Sequence, residues 1–335
     1  MPILLFEHLR QSYPPAEVRR LLASGKVMLS GAPTGDGGRL VEPEEISVNP
    51  RAPRCVPGRD LAVVWRDPQL AVVWKPPGLL SVPAPGRSGD DNVLARVGGI
   101  FGSAFAVHRL DEDTSGLMLV ALREPMQQKL KALFERHEVE RRYLALVAGH
   151  TPEGPLHIAT HLVRDRGDGL RGSVERLPAN SPLASQESVT AETTIRRLER
   201  FSAVSLIEAR LRTGRTHQVR IHCAEQGYAV LGDPLYANRR QAQAAPRLAL
   251  HAAVLGFKHP TTGEELRFVA PLADDLERLR RDLAGGGGAP GGEKTRRARR
   301  PAGREGGRTQ RPGACAGSMA HFAHPSRHFC CLVAP

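Results

Sequence analysis

Apolar positions change their period several times along the chain. In residues 16–31, AEVRRLLASGKVMLSG, Val18, Leu21 and Leu22 share one face of a predicted helix that stops at a Ser-Gly step, and short strand-like runs follow through Ile46 and Val48. Residues 61–65 and 70–74 both read LAVVW. The short segment between them, with Asp67 and Pro68, predicts a hairpin, and the duplication is too short for a repeat architecture. An unbroken apolar run at 117–122 predicts a buried strand. Met126, Leu130, Leu133 and Phe134 predict a helix over 124–137, and Tyr143 stands near the start of an alternating segment, RYLALVAG. Further strands are predicted at 192–198 and 204–211, a helix over roughly 216–226, and a last helix from Asp274 to about Leu283. Strands grouped in runs with intervening helices predict an α+β domain on a mixed, mainly antiparallel sheet.

Composition divides the chain into four parts. Residues 1–50 form a small unit, 51–60 (RAPRCVPGRD) a Pro- and Arg-rich linker, and 61–284 the main domain. Residues 285–335 are rich in Gly and Arg, with too few apolar side chains to offset the entropy of ordering, and are expected to be disordered. The net charge of +12 points to a polyanionic partner, but its position matters: +7 lies in the tail and only +5 in residues 1–284. The folded part is therefore modestly basic, enough for a groove that neutralises a few phosphates.

No apolar run has the length of a bilayer span, and the N-terminus lacks a basic start and a cleavage site, so a soluble cytoplasmic protein is expected. The five cysteines are odd in number and irregularly spaced, which argues against a disulfide framework. His217 and His222 are spaced by five, which does not align on a helix face, and no Cys-x-x-Cys accompanies them. No metal is assigned, and Cys223 reads as a small core residue.

The segment of densest chemistry is 108–122, HRLDEDTSGLMLVAL. Asp111 precedes a Thr-Ser-Gly turn that leads into the buried run, so packed backbone anchors the acid on both sides, and Gly116 permits a sharp turn. Arg109, two residues earlier, can share a side of extended chain with Asp111 and meet that carboxylate or a phosphate. Taken alone, Asp111, Thr114 and Ser115 also fit plain turn-capping.

These fifteen residues resemble the signature of the RluA-like pseudouridine synthases. The tyrosine of RYLALVAG, the block TGRTHQVRIH at 213–222 and LHAAVLGFKHPTTGEELRFVAPL at 250–272 resemble later blocks of the same family, so the likeness covers roughly residues 60–272. Departures are small: Arg142 stands where lysine is common, and Ala237 follows Gly-Asp-Pro-Leu-Tyr where glycine is usual.

The resemblance implies that family's catalytic fold and a cofactor-free isomerisation of uridine in RNA. It implies Asp111 as the catalytic carboxylate, Tyr143 as a stacking residue or base, and Arg215 as a bidentate partner of Asp111. Arg109 would fill the space left by an extruded base or clamp the backbone, with His108 and Thr114 beside it on the RNA. Residues 16–49 resemble a helix-and-hairpin unit shared by a ribosomal small-subunit protein and many pseudouridine synthases. Arg19, Arg20 and Lys26 would then face phosphates, unless the unit only caps the main domain.

Large-subunit ribosomal RNA is the family's commonest target and transfer RNA another, and a monomer suits a bulky ribosomal substrate. Two other classes stand beside this expectation. One is a non-catalytic RNA chaperone or ribosome-assembly factor, and the other a hydrolase pairing Asp111 with Glu112 or Asp113, neighbours too close for the separation such pairs require.

Overall fold

Eleven strands of the computed structural model join in one sheet, in which two antiparallel halves meet at a single parallel pair. The structure describes residues 2–285 apart from 53–54, 56–58, 85, 87–90 and 179, so most of the expected tail and part of the linker lie outside the described residues. The first half contains β1 (Ala62–Arg66), β2 (Leu70–Lys75) and β3 (Ser115–Ala121). The second contains β4 (Glu140–Ala148), β5 (Leu156–Val163), β6 (Val189–Arg200), β7 (Val204–Leu211), β8 (Leu250–Lys258) and β9 (Glu265–Val269). Across the sheet the order is β5, β6, β7, β4, β8, β3, β2, β1, with β9 alongside the far end of β8. This is the α+β class with a mainly antiparallel mixed sheet that the pattern predicts.

The seam forms where His251 and Ala252 of β8 pair with Ser115 and Gly116 of β3. Gly116 has φ +114°, and a Cβ there would lie 2.2 Å from the Ala252 carbonyl oxygen. Glycine is required by close approach of two backbones, beyond the turn expected from sequence.

Every side chain of β3 is buried, because both faces are covered. Leu117 and Leu119 point toward α3 (Glu124–Glu135) with its Met126, Leu130 and Leu133, while Met118 and Val120 meet Val93 and Val97 of α2 (Val93–Phe101). Truncating a fully buried Leu119 or Met118 to alanine costs about 2–5 kcal/mol. Helix α2 was not anticipated, since Gly98 and Gly99 interrupt its pattern. It is fixed by the Asn92 side chain capping Ala95 N–H and by Gly102 in the left-handed region.

Strand β5 was also not anticipated, because His157, Ala159 and His161 of its outer face are exposed. Strand β4 starts three residues before Tyr143: Glu140 and Arg142 are half-buried in an ion-pair network with Glu208 and Arg267. Strand β6 is longer than predicted, at Val189–Arg200.

The N-terminal segment has its own core of Leu5, Leu9, Val18, Leu21, Leu22, Val27, Leu29 and Val41. A short helix, Leu5–Leu9, precedes α1 (Pro15–Ala23), which starts with proline where its missing N–H is harmless, and a three-stranded sheet centred on Val27–Leu29 follows. This segment is tied to the main domain at Asp274, whose carboxylate accepts from Thr34 Oγ1, Gly35 N–H and Arg39.

Candidate active site

The loop carrying Asp111 is held at every carbonyl from Leu110 to Asp113. Ser81 Oγ donates to Leu110 O and accepts from Leu110 N–H, and Thr114 N–H closes a turn on Asp111 O. Lys75, with no exposed surface, donates to Glu112 O at 2.7 Å and to the carbonyls of Pro76 and Leu79, while Arg247 reaches Asp113 O. Burial pushes the Lys75 ammonium down to about 7, against the pull of Asp113, Asp111 and Glu112. Ser115, at the seam, is bonded to His251 Nδ1 and Arg247. The Asp111 side chain, 18% exposed, faces a cleft of about 420 Å³.

The opposite wall comes from the segment before α4 (Gln218–Glu225) and from the first residues of that helix, with 233–236 packed behind them. Gln218 uses its whole amide to anchor the turn: Oε1 accepts from Thr213 Oγ1 and Arg215 N–H, and Nε2 donates to Glu192 O and Thr193 Oγ1. His217 caps the helix at φ +59°, an uncommon backbone conformation for a residue other than glycine, at the cleft itself. Its Nδ1 meets Tyr236 Oη at 3.0 Å and its Nε2 lies 3.9 Å from Asp111 Oδ1. Burial lowers its pKa, with Asp111 and Arg220 acting in opposite directions, which favours the neutral ring.

Arg220 is the arginine that holds Asp111. Its Nη1 donates to Asp111 Oδ2 at 3.2 Å, and its Nε and Nη2 form a fork on Asp233, both at 2.8 Å. Asp233 has no exposed surface and also accepts from the N–H groups of Leu235 and Tyr236. Burial opposes the charge on Arg220, but the two carboxylates prevail and raise its pKa. The Tyr236 ring lies under its guanidinium, 5.3 Å away.

Arg215 does not form the expected bidentate pair. It precedes the helix, is exposed, and its Nε donates to Thr190 O; it still lines the cleft. The reason is helical geometry: Arg220, one turn into α4, points inward, whereas Arg215 leaves the turn before the helix begins. Tyr143 lines the cleft too, its phenol pushed up to about 12 by burial, so it is protonated at neutral pH.

Arg109 is exposed at the cleft and has no ion pair with Asp111. His108, expected on the RNA, lines the cleft, while its Nε2 accepts from Leu119 N–H at 2.9 Å and its ring stacks on Phe134. Burial, with help from Arg141, pushes its pKa down to about 3, so it offers no positive charge. Thr114 is buried on the cleft wall. Arg19, Arg20 and Lys26 lie away from the cleft on α1 and the turn after it, with Arg20 paired to Glu17 and Lys26 donating to Pro50 O.

Glu112 and Asp113 do not line the cleft, where Asp111 and the exposed Glu135 are the acidic residues, so no acid–base pair of neighbours is assembled. His222 bonds Thr160 and Thr193 hydroxyls, and Cys223 is buried with its thiol pushed up to about 12.

Arg220, His217, Asp233, Tyr236, Arg141 and Lys75 escaped sequence reasoning. One signal was present: Arg220 lies between Val219 and Ile221, and Asp233 follows an apolar run, positions where a charge is buried and must be paired.

A single held carboxylate thus faces the cleft beside a phenol, at the seam of a mixed sheet. The model of the RNA pseudouridylate synthase family matches residues 69–225. Ribosomal large subunit pseudouridine synthase D of Zymomonas mobilis is 37% identical over 237 residues, covering 65% of this chain and 71% of that protein. The uncharacterized RNA pseudouridine synthase YlyB of Bacillus subtilis is 31% identical over 280 residues, covering 80% and 88%. Human RNA pseudouridylate synthase domain containing 1 shares the fold, with a TM-score of 0.53 at 24% identity over 69% of this chain and 97% of that one. The chain belongs to the pseudouridine synthase family and is related to the bacterial ribosomal large subunit pseudouridine synthase D proteins; it is an RNA-modifying isomerase.

Proposed function

We propose that this enzyme converts a uridine of large-subunit ribosomal RNA to pseudouridine, with Asp111 as the catalytic carboxylate. The observation that carries the role of Asp111 is its hold: a loop fixed at four successive carbonyls presents one carboxylate to the cleft, oriented by Arg220. The names of relatives such as the Zymomonas mobilis protein support the choice of RNA.

In the reaction the bond between C1′ and N1 breaks, the uracil turns, C1′ bonds to C5, and the proton lost from C5 is balanced by one gained at nitrogen. Nothing is consumed. Asp111 stabilises positive charge on the ribose or forms a transient ester with it, as carboxylates do in glycoside hydrolysis. Tyr143, kept as a neutral phenol by burial, offers its ring face to the base and its hydroxyl as a hydrogen-bond partner, and it is not a resting phenolate base. The target nucleotide is taken out of its stack to reach the cleft, and Arg109, exposed at the cleft, occupies the vacated space or clamps the backbone.

The protein is read as a cytoplasmic monomer. The test is to map pseudouridines in total RNA from cells with and without the gene, then to treat the unmodified RNA with purified enzyme. Loss of a large-subunit site that the enzyme restores supports the proposal. A changed site confined to transfer RNA overturns the choice of substrate.

A further inference from the structure

Beyond Asp111 and its partners, the cleft holds cations that no acid among the described residues neutralises. Arg141 is 7% exposed, yet among the described residues it has no carboxylate partner. Its Nη2 donates to Arg212 O at 2.9 Å, its guanidinium lies over the Phe134 ring at 5.2 Å, and its buried Nε has no acceptor. Gly214 makes room for it: a Cβ there would sit 2.3 Å from Nη1.

Arg215 lies close enough to oppose the charge on Arg141 and is itself held only by a carbonyl, Thr190 O. Thr114 Oγ1, on the same cleft, is a second buried polar atom without a partner. The acid of the rim, Glu135, is exposed, and Asp111 is engaged by Arg220. A nearly buried guanidinium beside a second cation is costly unless an anion completes it.

We propose that Arg141 and Arg215 form an anion site in the cleft that takes a phosphodiester oxygen of the RNA backbone next to the reacting uridine. This rests on the reading of the cleft as an RNA site. Arg141 supplies a fixed, desolvated donor and Arg215 an adjustable one, so the pair sets the register of the strand while Asp111 acts on the sugar.

The test measures binding of the full chain to single-stranded oligouridine RNA across a salt series, with thermal unfolding as the check on folding. Arg141→Gln and Arg215→Gln are each expected to lower the slope of log affinity against log salt by about 0.7, the value for one phosphate contact on a single strand. Each should weaken binding about tenfold at low salt. Arg141→Lys, which keeps the charge, should restore the slope. Arg215 is exposed, so its variant will fold even if Arg141→Gln does not. A folded Arg215→Gln protein with wild-type slope and affinity overturns the site.

Pseudouridine formation by the wild type separates this proposal from the function it rests on. An inactive wild type whose binding still depends on both arginines upholds the site and overturns the function. An active wild type whose slope ignores both substitutions overturns the site alone.

Discussion

Replacing Arg220 with methionine removes the side chain that joins Asp111 to the buried Asp233. Arg220 is 5% exposed and Asp233 has no exposed surface, so the substitution leaves a buried carboxylate with two backbone N–H donors, from Leu235 and Tyr236, and no counter-charge. Breaking a buried pair on one side costs about 3–5 kcal/mol, and the two remaining donors place the expected loss near the lower end, about 3 kcal/mol. Adding Asp233→Asn should recover about 2 kcal/mol, because the Asn Oδ1 still accepts from both N–H groups while the uncompensated charge is gone. Urea unfolding followed by tryptophan fluorescence reads both values. Arg220→Met within about 1 kcal/mol of wild type, or a double variant no more stable than the single one, refutes the assignment of Arg220 to a buried three-group bridge.

Two further outcomes follow from the seam and from the buried imidazoles. Gly116→Ala should destabilise by more than about 3 kcal/mol, combining a Cβ 2.2 Å from Ala252 O with strain at φ +114°, and a denaturation midpoint close to wild type would contradict the close-approach reading of β3 and β8. Burial pushes His108 and His251 down to about 3 and His222 to about 4, while the unfolded chain takes up these protons near pH 6.5. Stability is then intact above pH 6.5 and falls as pH drops toward 3–4, each histidine costing about 2 kcal/mol at pH 5. Urea midpoints that stay level from pH 7 to pH 5 would show that these rings are not held neutral.

The elements best read from sequence are those whose pattern reports burial directly. The run 117–122 supplies all but the first two residues of strand β3, covered on both faces, and extends one residue past its end, and Met126, Leu130 and Leu133 do face the core from α3. Reading failed where burial and polarity part company. Helix α4 buries Gln218, Arg220 and His222 along with Val219 and Ile221, so its sequence has no amphipathic face to mark which arginine turns inward. The family likeness points to Arg215, and nothing in the local pattern singles out Arg220 instead. Likewise Lys75 ends an apolar strand and looks like a solvated terminus, but its ammonium is closed in by three carbonyls from two segments. Such long-range partners have no local signature. The parallel seam was equally hidden, since Gly116 resembles a turn residue until Ala252, more than a hundred residues later, is placed against it.

The most direct test is Asp111→Asn in purified enzyme, assayed for pseudouridine formation in RNA alongside RNA affinity and thermal unfolding. Asparagine keeps the size of the side chain and an oxygen for Arg220 but removes the negative charge. The expected result is a folded protein that binds RNA as the wild type does and forms no pseudouridine. Conversion at the wild-type rate would show that the carboxylate held over this cleft does not carry the reaction.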